Sequence, residues 1–157
     1  MGKMLKIHTE GRRDSDVVAP PALLLTRRVT FASAHVLRRG EWDEERNLAV
    51  FGPCARDHGH NYVLEVSVSG QPDPETGMVL NLRDLDRVVR EAVVDQVDHR
   101  HLNHDVPFLR GVVPTAENVA LAFWARLEEY LPETRSGACL RRLRLVESEN
   151  NAVEVWR

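Results

Sequence analysis

One strictly alternating segment, from Tyr62 to Gly70, most limits how this chain can fold. Its apolar positions fall on one face: Tyr62, Leu64, Val66 and Val68. Glu65, Ser67 and Ser69 fall on the other face. A period of two residues predicts a β-strand with one side in a core and the other side against polar surroundings. Such a strand needs neighbouring strands and a layer that covers its apolar face.

The rest of the pattern supplies both. Residues 23–31 are rich in Leu, Val and Thr and predict a first strand, and residues 140–147 and 152–156 predict a hairpin. Apolar residues at helical spacing predict one helix from Asn81 to about Val97 and a second that starts at Thr115. The order ββααββ predicts an α+β fold, a four-stranded antiparallel sheet with two helices on one face.

Two segments fall outside this plan. Residues 1–22 are polar and end in two prolines, which predicts a flexible N-terminal extension before a single domain at residues 23–157. Residues 38–57 are charged and irregular, which predicts a long loop, and long loops in small domains are often functional. A four-stranded sheet also leaves two open edges, so assembly through the sheet is expected.

Composition excludes several classes of function. The 157 residues carry a formal net charge of -3, whereas a nucleic-acid-binding chain usually has a basic surplus. No apolar run approaches the roughly 20 residues that span a bilayer, and the N-terminus lacks the apolar core of a secretory signal. We therefore expect a cytoplasmic protein with neither a nucleic acid nor a membrane as its partner.

Three histidines predict a metal site. His58 and His60 share the apolar parity of the alternating strand, and His35 follows the first strand with the parity of Val29, Phe31 and Ser33. Antiparallel pairing of the two strands brings the three rings together. Three neutral imidazoles suit Zn²⁺ and leave its fourth position open for chemistry, although Fe²⁺ also accepts histidines.

Each acid–base candidate has more than one possible role. Cys54 precedes His58 by four residues and could be a base, a nucleophile or a fourth zinc ligand. Asp98 and His99 form a proton relay or a simple ion pair at a helix end. Glu147 ends the apolar face of the third strand, where it either binds a ligand with adjacent N–H groups or lies in water.

Six segments in the expected order are similar to the 6-pyruvoyl-tetrahydropterin synthase family, which includes the 6-carboxy-tetrahydropterin synthases. The likeness runs from about Val29 to Glu147. The segments are Phe31–His35, Cys54–Tyr62, Asp73–Met78, Asp98–Asn103, Pro114–Asn118 and Val146–Ser148.

The resemblance implies a tunnelling fold (T-fold), in which the sheets of several subunits close into a barrel, commonly as a hexamer of two stacked trimers with active sites at subunit interfaces. It implies the following roles: zinc ligands His35, His58 and His60; general base Cys54; relay pair Asp98 and His99; pterin anchor Glu147; and Thr115 in the same pocket. The implied substrate is a small molecule, 7,8-dihydroneopterin triphosphate. Its anionic tail needs cations, for which the candidates are Arg38, Arg39, Arg56 and Arg100.

The product differs between two branches of this family. The Cys54-x-x-x-His58 spacing is similar to the carboxy branch, which releases acetaldehyde and serves queuosine biosynthesis. The long 38–57 loop and the Met78–Leu82 segment are similar to the pyruvoyl branch. The sequence favours the carboxy product, with the pyruvoyl product as the alternative. Two further hypotheses are a zinc-stabilised oligomer that binds pterins without turnover and a Cys–His hydrolase.

Overall fold

A computed structural model describes residues 22–134 and 136–157 of the chain. The flexible extension predicted for residues 1–22 lies, except for Ala22, outside the described residues.

The fold is built on one sheet in the strand order β3-β1-β2-β4-β5. Four long strands pair antiparallel, in agreement with the prediction. Their bounds are β1 Leu25–His35, β2 His58–Ser69, β4 Cys139–Ser148 and β5 Asn151–Trp156. The alternating segment is thus the centre of the sheet, with a partner on each side.

Among the described residues the sheet has five strands rather than the four predicted. The additional strand, β3, has only two residues, Arg100–His101, and pairs parallel to the end of β1. Backbone bonds flank it on both sides, from His99 N to Ala32 O at 2.7 Å and from Leu102 N to Ala34 O at 2.8 Å. Two residues carry no periodicity that sequence analysis could detect, so this pairing arises from tertiary hydrogen bonding.

The predicted loop at residues 38–57 is wrong in part, because it contains helix α1, Glu44–Phe51, followed by a 3₁₀ turn, Gly52–Ala55. Asp43 caps the helix by accepting a hydrogen bond from Arg46 N at 2.8 Å. Asn47 is the buried residue of the helix, and it bonds to backbone atoms of Arg39, Trp42 and Asp43. The segment is therefore held by a cap and a buried amide, not by an apolar stripe.

The two predicted helices are present, and the cap predicted at Asn81 and the helix start predicted at Thr115 are confirmed. Helix α2 starts at Leu82, after the Asn81 side chain accepts from Arg83 N, and helix α3 starts after Thr115 accepts from Asn118 N. Their bounds are α2 Leu82–Val89, continued by a π-helical turn Arg90–Val94 and a last turn Asp95–Val97, and α3 Ala116–Tyr130; a 3₁₀ turn, Pro107–Leu109, lies between them.

Both helices pack on the same face of the sheet and enclose the core. Leu85 of α2 and Phe123 of α3 are fully buried with Leu64 and Leu143 of the sheet. Burying side chains of this size contributes about 1.5–3 kcal/mol each. No helix among residues 22–134 and 136–157 is both long and apolar enough to cross a membrane.

Candidate metal centre and active site

The strand register brings the three predicted histidines together. His35 lies opposite His58, and Ser33 lies opposite His60, at the ends of β1 and β2. The ring of His35 is 4.5 Å from that of His58 and 5.2 Å from that of His60, between centroids. One ligand atom from each histidine lies within 4.8 Å of the other two.

Backbone carbonyl groups orient two of these rings. His35 Nδ1 is 2.9 Å from Pro114 O, and His58 Nδ1 is 2.7 Å from Arg56 O. A carbonyl oxygen can only accept, so each Nδ1 carries the proton and each Nε2 keeps its lone pair. Second partners of this kind fix the tautomer of metal-binding histidines.

His35 is the most enclosed of the three residues, and its environment suits a metal ligand. Its side chain is 1% exposed, and its Nε2 atom has no hydrogen-bond partner among the residues that the structure describes. Burial is the largest cause that lowers its pKa to about 4, and the charges of His58 and His60 lower it further. The ring is therefore neutral at pH 7, and its buried lone pair would be satisfied by a bound cation.

Glu147 borders the histidine cluster on one side. Its Oε1 atom is 3.8 Å from His35 Nε2 and 3.9 Å from His60 Nε2. The Tyr62 hydroxyl is buried beside it and makes no hydrogen bond of ordinary geometry within the described part of the chain. Burial, and then the Glu147 charge, raise the pKa of Tyr62. Thr115 and Glu147 line one cavity of about 460 Å³, which places the two predicted substrate residues together.

Cys54 lies in the 3₁₀ turn that follows α1, and its side chain is partly buried. Its carbonyl oxygen accepts a hydrogen bond from Leu37 N at 2.8 Å. Leu37 follows the end of β1, so this bond ties the cysteine turn to the strand that carries His35.

Asp98 and His99 form the predicted ion pair, at 3.0 Å between Asp98 Oδ1 and His99 Nδ1. Asp98 also accepts from Ala32 N at 2.9 Å, and this backbone bond is the largest cause that holds the pKa of Asp98 below its usual range. His99 has a positive φ of 56° and its side chain is 83% exposed. The pair therefore presents an oriented imidazole outward from the subunit.

A second cavity, of about 580 Å³, is lined by one residue of this pair and one residue of the histidine cluster. His60, His99 and Arg100 are among the residues that line it.

The four candidate arginines differ in whether a carboxylate already pairs with them. Arg38 pairs with Glu44 at 2.9 Å and Arg39 with Glu41 at 3.0 Å, whereas Arg56 and Arg100 have no ion-pair partner among the described residues.

Two features of this region escaped the sequence analysis. Glu117 lines the cavity that holds Glu147 and Thr115, and only its place in the Pro114–Asn118 segment could have indicated it. Asp57 and His101 form a further pair at 3.0 Å. No sequence signal connects residues 44 positions apart.

Comparisons with known proteins agree with this geometry. The family model for 6-pyruvoyl tetrahydropterin synthase matches residues 24–157. A "6-pyruvoyl tetrahydrobiopterin synthase" of Pongo abelii is 41% identical over 131 residues, which are 82% of this chain and 88% of the relative. A "putative 6-carboxy-5,6,7,8-tetrahydropterin synthase" of Archaeoglobus fulgidus is 38% identical over 104 residues, 66% of this chain and 79% of that protein.

The solved structure of the Caenorhabditis elegans 6-pyruvoyl tetrahydropterin synthase has the same fold. It superposes with a TM-score of 0.79 at 32% identity, and the match covers 87% of this chain and 96% of that one. The T-fold predicted for the single chain is thereby confirmed. With a family model that spans almost all of the described residues, the chain belongs to the 6-pyruvoyl tetrahydropterin synthase family.

Proposed function

We propose that the chain is a zinc-dependent 6-pyruvoyl-tetrahydropterin synthase that eliminates triphosphate from 7,8-dihydroneopterin triphosphate. One observation carries this proposal: three histidine rings converge beside a partly buried carboxylate, within a fold shared with enzymes of that name. The relatives that bear the pyruvoyl name include the Pongo abelii protein at 41% identity. This product is the alternative left open above, and the relatives support it better than the carboxy product.

His35 and His58 would hold the zinc ion through the Nε2 atoms that two carbonyl groups leave free, and His60 would supply the third ligand atom. When bound, zinc supplies a Lewis acid that polarises oxygen atoms of the substrate side chain and makes the neighbouring C–H groups more acidic. The protein has to place that side chain against the cluster.

Glu147 would do so by holding the pterin ring. The 2-amino group and the adjacent ring N–H are parallel donors, and one carboxylate can accept from both. Thr115 lines the same cavity and would bound the ring. A ring held beside Glu147 directs its side chain toward the histidines, because Glu147 lies within 4 Å of two of them.

Cys54, as a thiolate, would remove a proton from the side chain of the substrate. Asp98 stays ionised and holds the His99 imidazole, which would return a proton to another position of the substrate. Loss of the triphosphate completes an elimination in which the leaving group takes the electron pair of its C–O bond. Arg56 and Arg100 are the candidates that would bind the triphosphate, since neither is engaged by a carboxylate of the described residues.

The exposure of His99 supports an oligomer. Its side chain points away from its own subunit, so it is free to complete the site of a neighbouring copy. We propose the hexamer of two trimers that the family resemblance implies, with each active site at a subunit interface.

A second candidate product is 6-carboxy-tetrahydropterin, made with loss of acetaldehyde for queuosine biosynthesis. The Cys54-x-x-x-His58 spacing favours it, and so does the Archaeoglobus fulgidus relative at 38% identity. Both products require the same metal centre and the same anchor.

A product assay tests the proposal. Zinc-loaded protein is incubated with 7,8-dihydroneopterin triphosphate, and pterin mass and acetaldehyde are followed together. A pyruvoyl product without acetaldehyde supports the proposal, and acetaldehyde with a carboxypterin establishes the second candidate. Tight pterin binding without turnover would instead identify a non-catalytic, zinc-stabilised pterin-binding oligomer.

A further inference from the structure

A second Asp–His pair lies outside the proposed acid–base machinery. Asp57 Oδ1 is 3.0 Å from His101 Nε2, although 44 residues separate the two in sequence. Asp57 immediately precedes the metal-site residue His58, and His101 lies on β3, two residues after His99. The pair therefore bridges two segments that each carry proposed site residues.

The backbone fixes the direction of this bond. His101 Nδ1 is 3.3 Å from Asn103 N, a backbone N–H that can only donate. Nδ1 is therefore the acceptor, and Nε2 carries the proton that His101 donates to Asp57. The His101 imidazole is thus held in one tautomer, and its hydrogen bond to Asp57 has a fixed direction.

Asn103, two residues after His101, also binds the backbone directly after β1, the strand that carries His35. The Asn103 side chain accepts from Val36 N at 3.0 Å and donates to Val36 O at 2.9 Å, and Val36 directly follows His35. Residues 101–103 thus touch the end of β1 on one side and the connection into β2 on the other.

The Cys54–His58 connection is held at both ends. Its start is bound by the 2.8 Å bond from Leu37 N to Cys54 O, and its end by the bond from His101 to Asp57. Within the connection, Arg56 N donates to Pro53 O at 3.1 Å and Arg56 O accepts from His58 Nδ1 at 2.7 Å. The bond from His101 to Asp57 is the contact that joins this connection to β3, so it sets the connection, and Cys54 with it, against the segment that carries His99.

We propose that the Asp57–His101 pair is a positioning device that fixes the Cys54 thiol relative to His35, His58 and His60. This inference rests on the role of Cys54 in the proposed function. Asp57 is 80% exposed, and an exposed pair adds little to folding stability. Its loss should consequently displace the connection without unfolding the chain.

The test measures the reactivity of Cys54 directly. In a Cys139→Ser background, which removes the exposed second cysteine, the rate of Cys54 alkylation by iodoacetamide is followed in zinc-loaded protein. We expect Asp57→Ala and His101→Ala each to change this rate several-fold and to lower kcat about tenfold, with KM and zinc content retained, because small misplacements of a reacting group are costly. Asp57→Asn should restore both values, since its amide oxygen still accepts from His101.

The controls separate position from stability and charge. Asp84→Asn removes an exposed carboxylate of helix α2 that pairs with Arg87, and it should change neither rate. The double variant Asp57→Ala/His101→Ala should be no worse than either single variant, as expected for one shared contact. Unchanged alkylation in the single variants, additive losses, or an impaired Asp57→Asn variant would each overturn the inference. If alkylation changes in the variants but the wild-type protein makes no pterin product, the proposed function is contradicted and the positioning role of the Asp57–His101 pair is still supported.

Discussion

His35 Nδ1 lies 2.9 Å from the carbonyl oxygen of Pro114, and this contact determines what the rest of the ring can do. The bond places the proton on Nδ1, so the lone pair of Nε2 faces the other two histidines in a buried position. Pro114 directly precedes Thr115, the cap of helix α3. The start of that helix therefore orients a proposed metal ligand, and Thr115 also lines the same cavity as Glu147.

The buried His35 ring predicts a pH-dependent stability of the metal-free protein. Its pKa is about 4 in the folded chain against 6.5 as the ordinary value, so the unfolded chain binds the proton more readily. Stability is then full above pH 6.5 and falls as the pH drops toward 4. We expect a loss of about 2 kcal/mol between about pH 7.5 and pH 5, measured by urea unfolding after chelation.

Two variants check that His35 is the cause. His35→Gln should remove most of this pH dependence, because the amide does not titrate. His99→Gln alters a histidine whose side chain is 83% exposed, and it should keep the dependence. Equal pH dependence in all three proteins would contradict the assignment.

Zinc content should separate ligands from chemistry. His58→Ala removes one of three converging ligand atoms, so we expect it to lose most of its zinc. Cys54→Ala should keep about one zinc per chain while kcat falls about 100- to 10,000-fold, the usual range for loss of a general base. Metal analysis and turnover are measured on the same preparations. If zinc is lost with the Cys54 change, the thiol is a ligand and its role as a base is wrong.

Glu147 should govern substrate affinity. Replacing it by Gln keeps its shape but removes the charge from a pair of hydrogen bonds, and bonds to charged groups contribute about 1.5–3 kcal/mol. We expect Glu147→Gln to weaken binding of the pterin about 10- to 100-fold in a fluorescence titration. Glu149→Gln, two residues on in the exposed turn of the hairpin, is the matched control and should bind normally. Equal affinities in the two variants would rule out the anchor role.

Periodicity and caps predicted most of the fold. Alternation identified β2, and the side chains of Asn81 and Thr115 marked where two helices begin. These signals depend on residues that are close in sequence, and tertiary packing does not override them. Strand parity likewise predicted the meeting of His35 with the His58–His60 pair, because antiparallel register converts parity into proximity.

The features that were missed depend on contacts between distant segments. Helix α1 has a single buried residue, Asn47, which bonds to backbone atoms and leaves no apolar stripe to detect. Strand β3 exists because β1 offers backbone groups to two residues of another segment. The Asp57–His101 pair forms only after both the sheet and β3 are in place, so no spacing in the sequence encodes it.

The helix-free face of the sheet carries one row of alternating charges that predicts how copies assemble. Four residues lie in register across four strands: Arg28, Glu65, Arg144 and Glu154. Adjacent members are 3.8, 3.8 and 3.2 Å apart between charged atoms. The row begins with a cation on β1 and ends with an anion on β5. Within residues 22–134 and 136–157, β5 and most of β1 have an unpaired edge.

If β5 of one copy pairs with β1 of the next, Glu154 lies opposite Arg28 of the neighbouring subunit. The alternation of positive and negative charges then continues across the interface, and no like charges face each other. Glu154→Arg and Arg28→Glu should each shift the protein toward smaller species, because like charges would then face each other across the new edge. The double variant restores opposite charges across the new edge but leaves each exchanged residue beside a like charge of its own sheet, Glu65 or Arg144. It should therefore recover part of the mass lost in the single variants, measured by sedimentation over a range of concentrations. Arg87→Glu, on the exposed side of helix α2, should leave the mass unchanged. Full-size assemblies in both single variants would show that copies do not join through these edges.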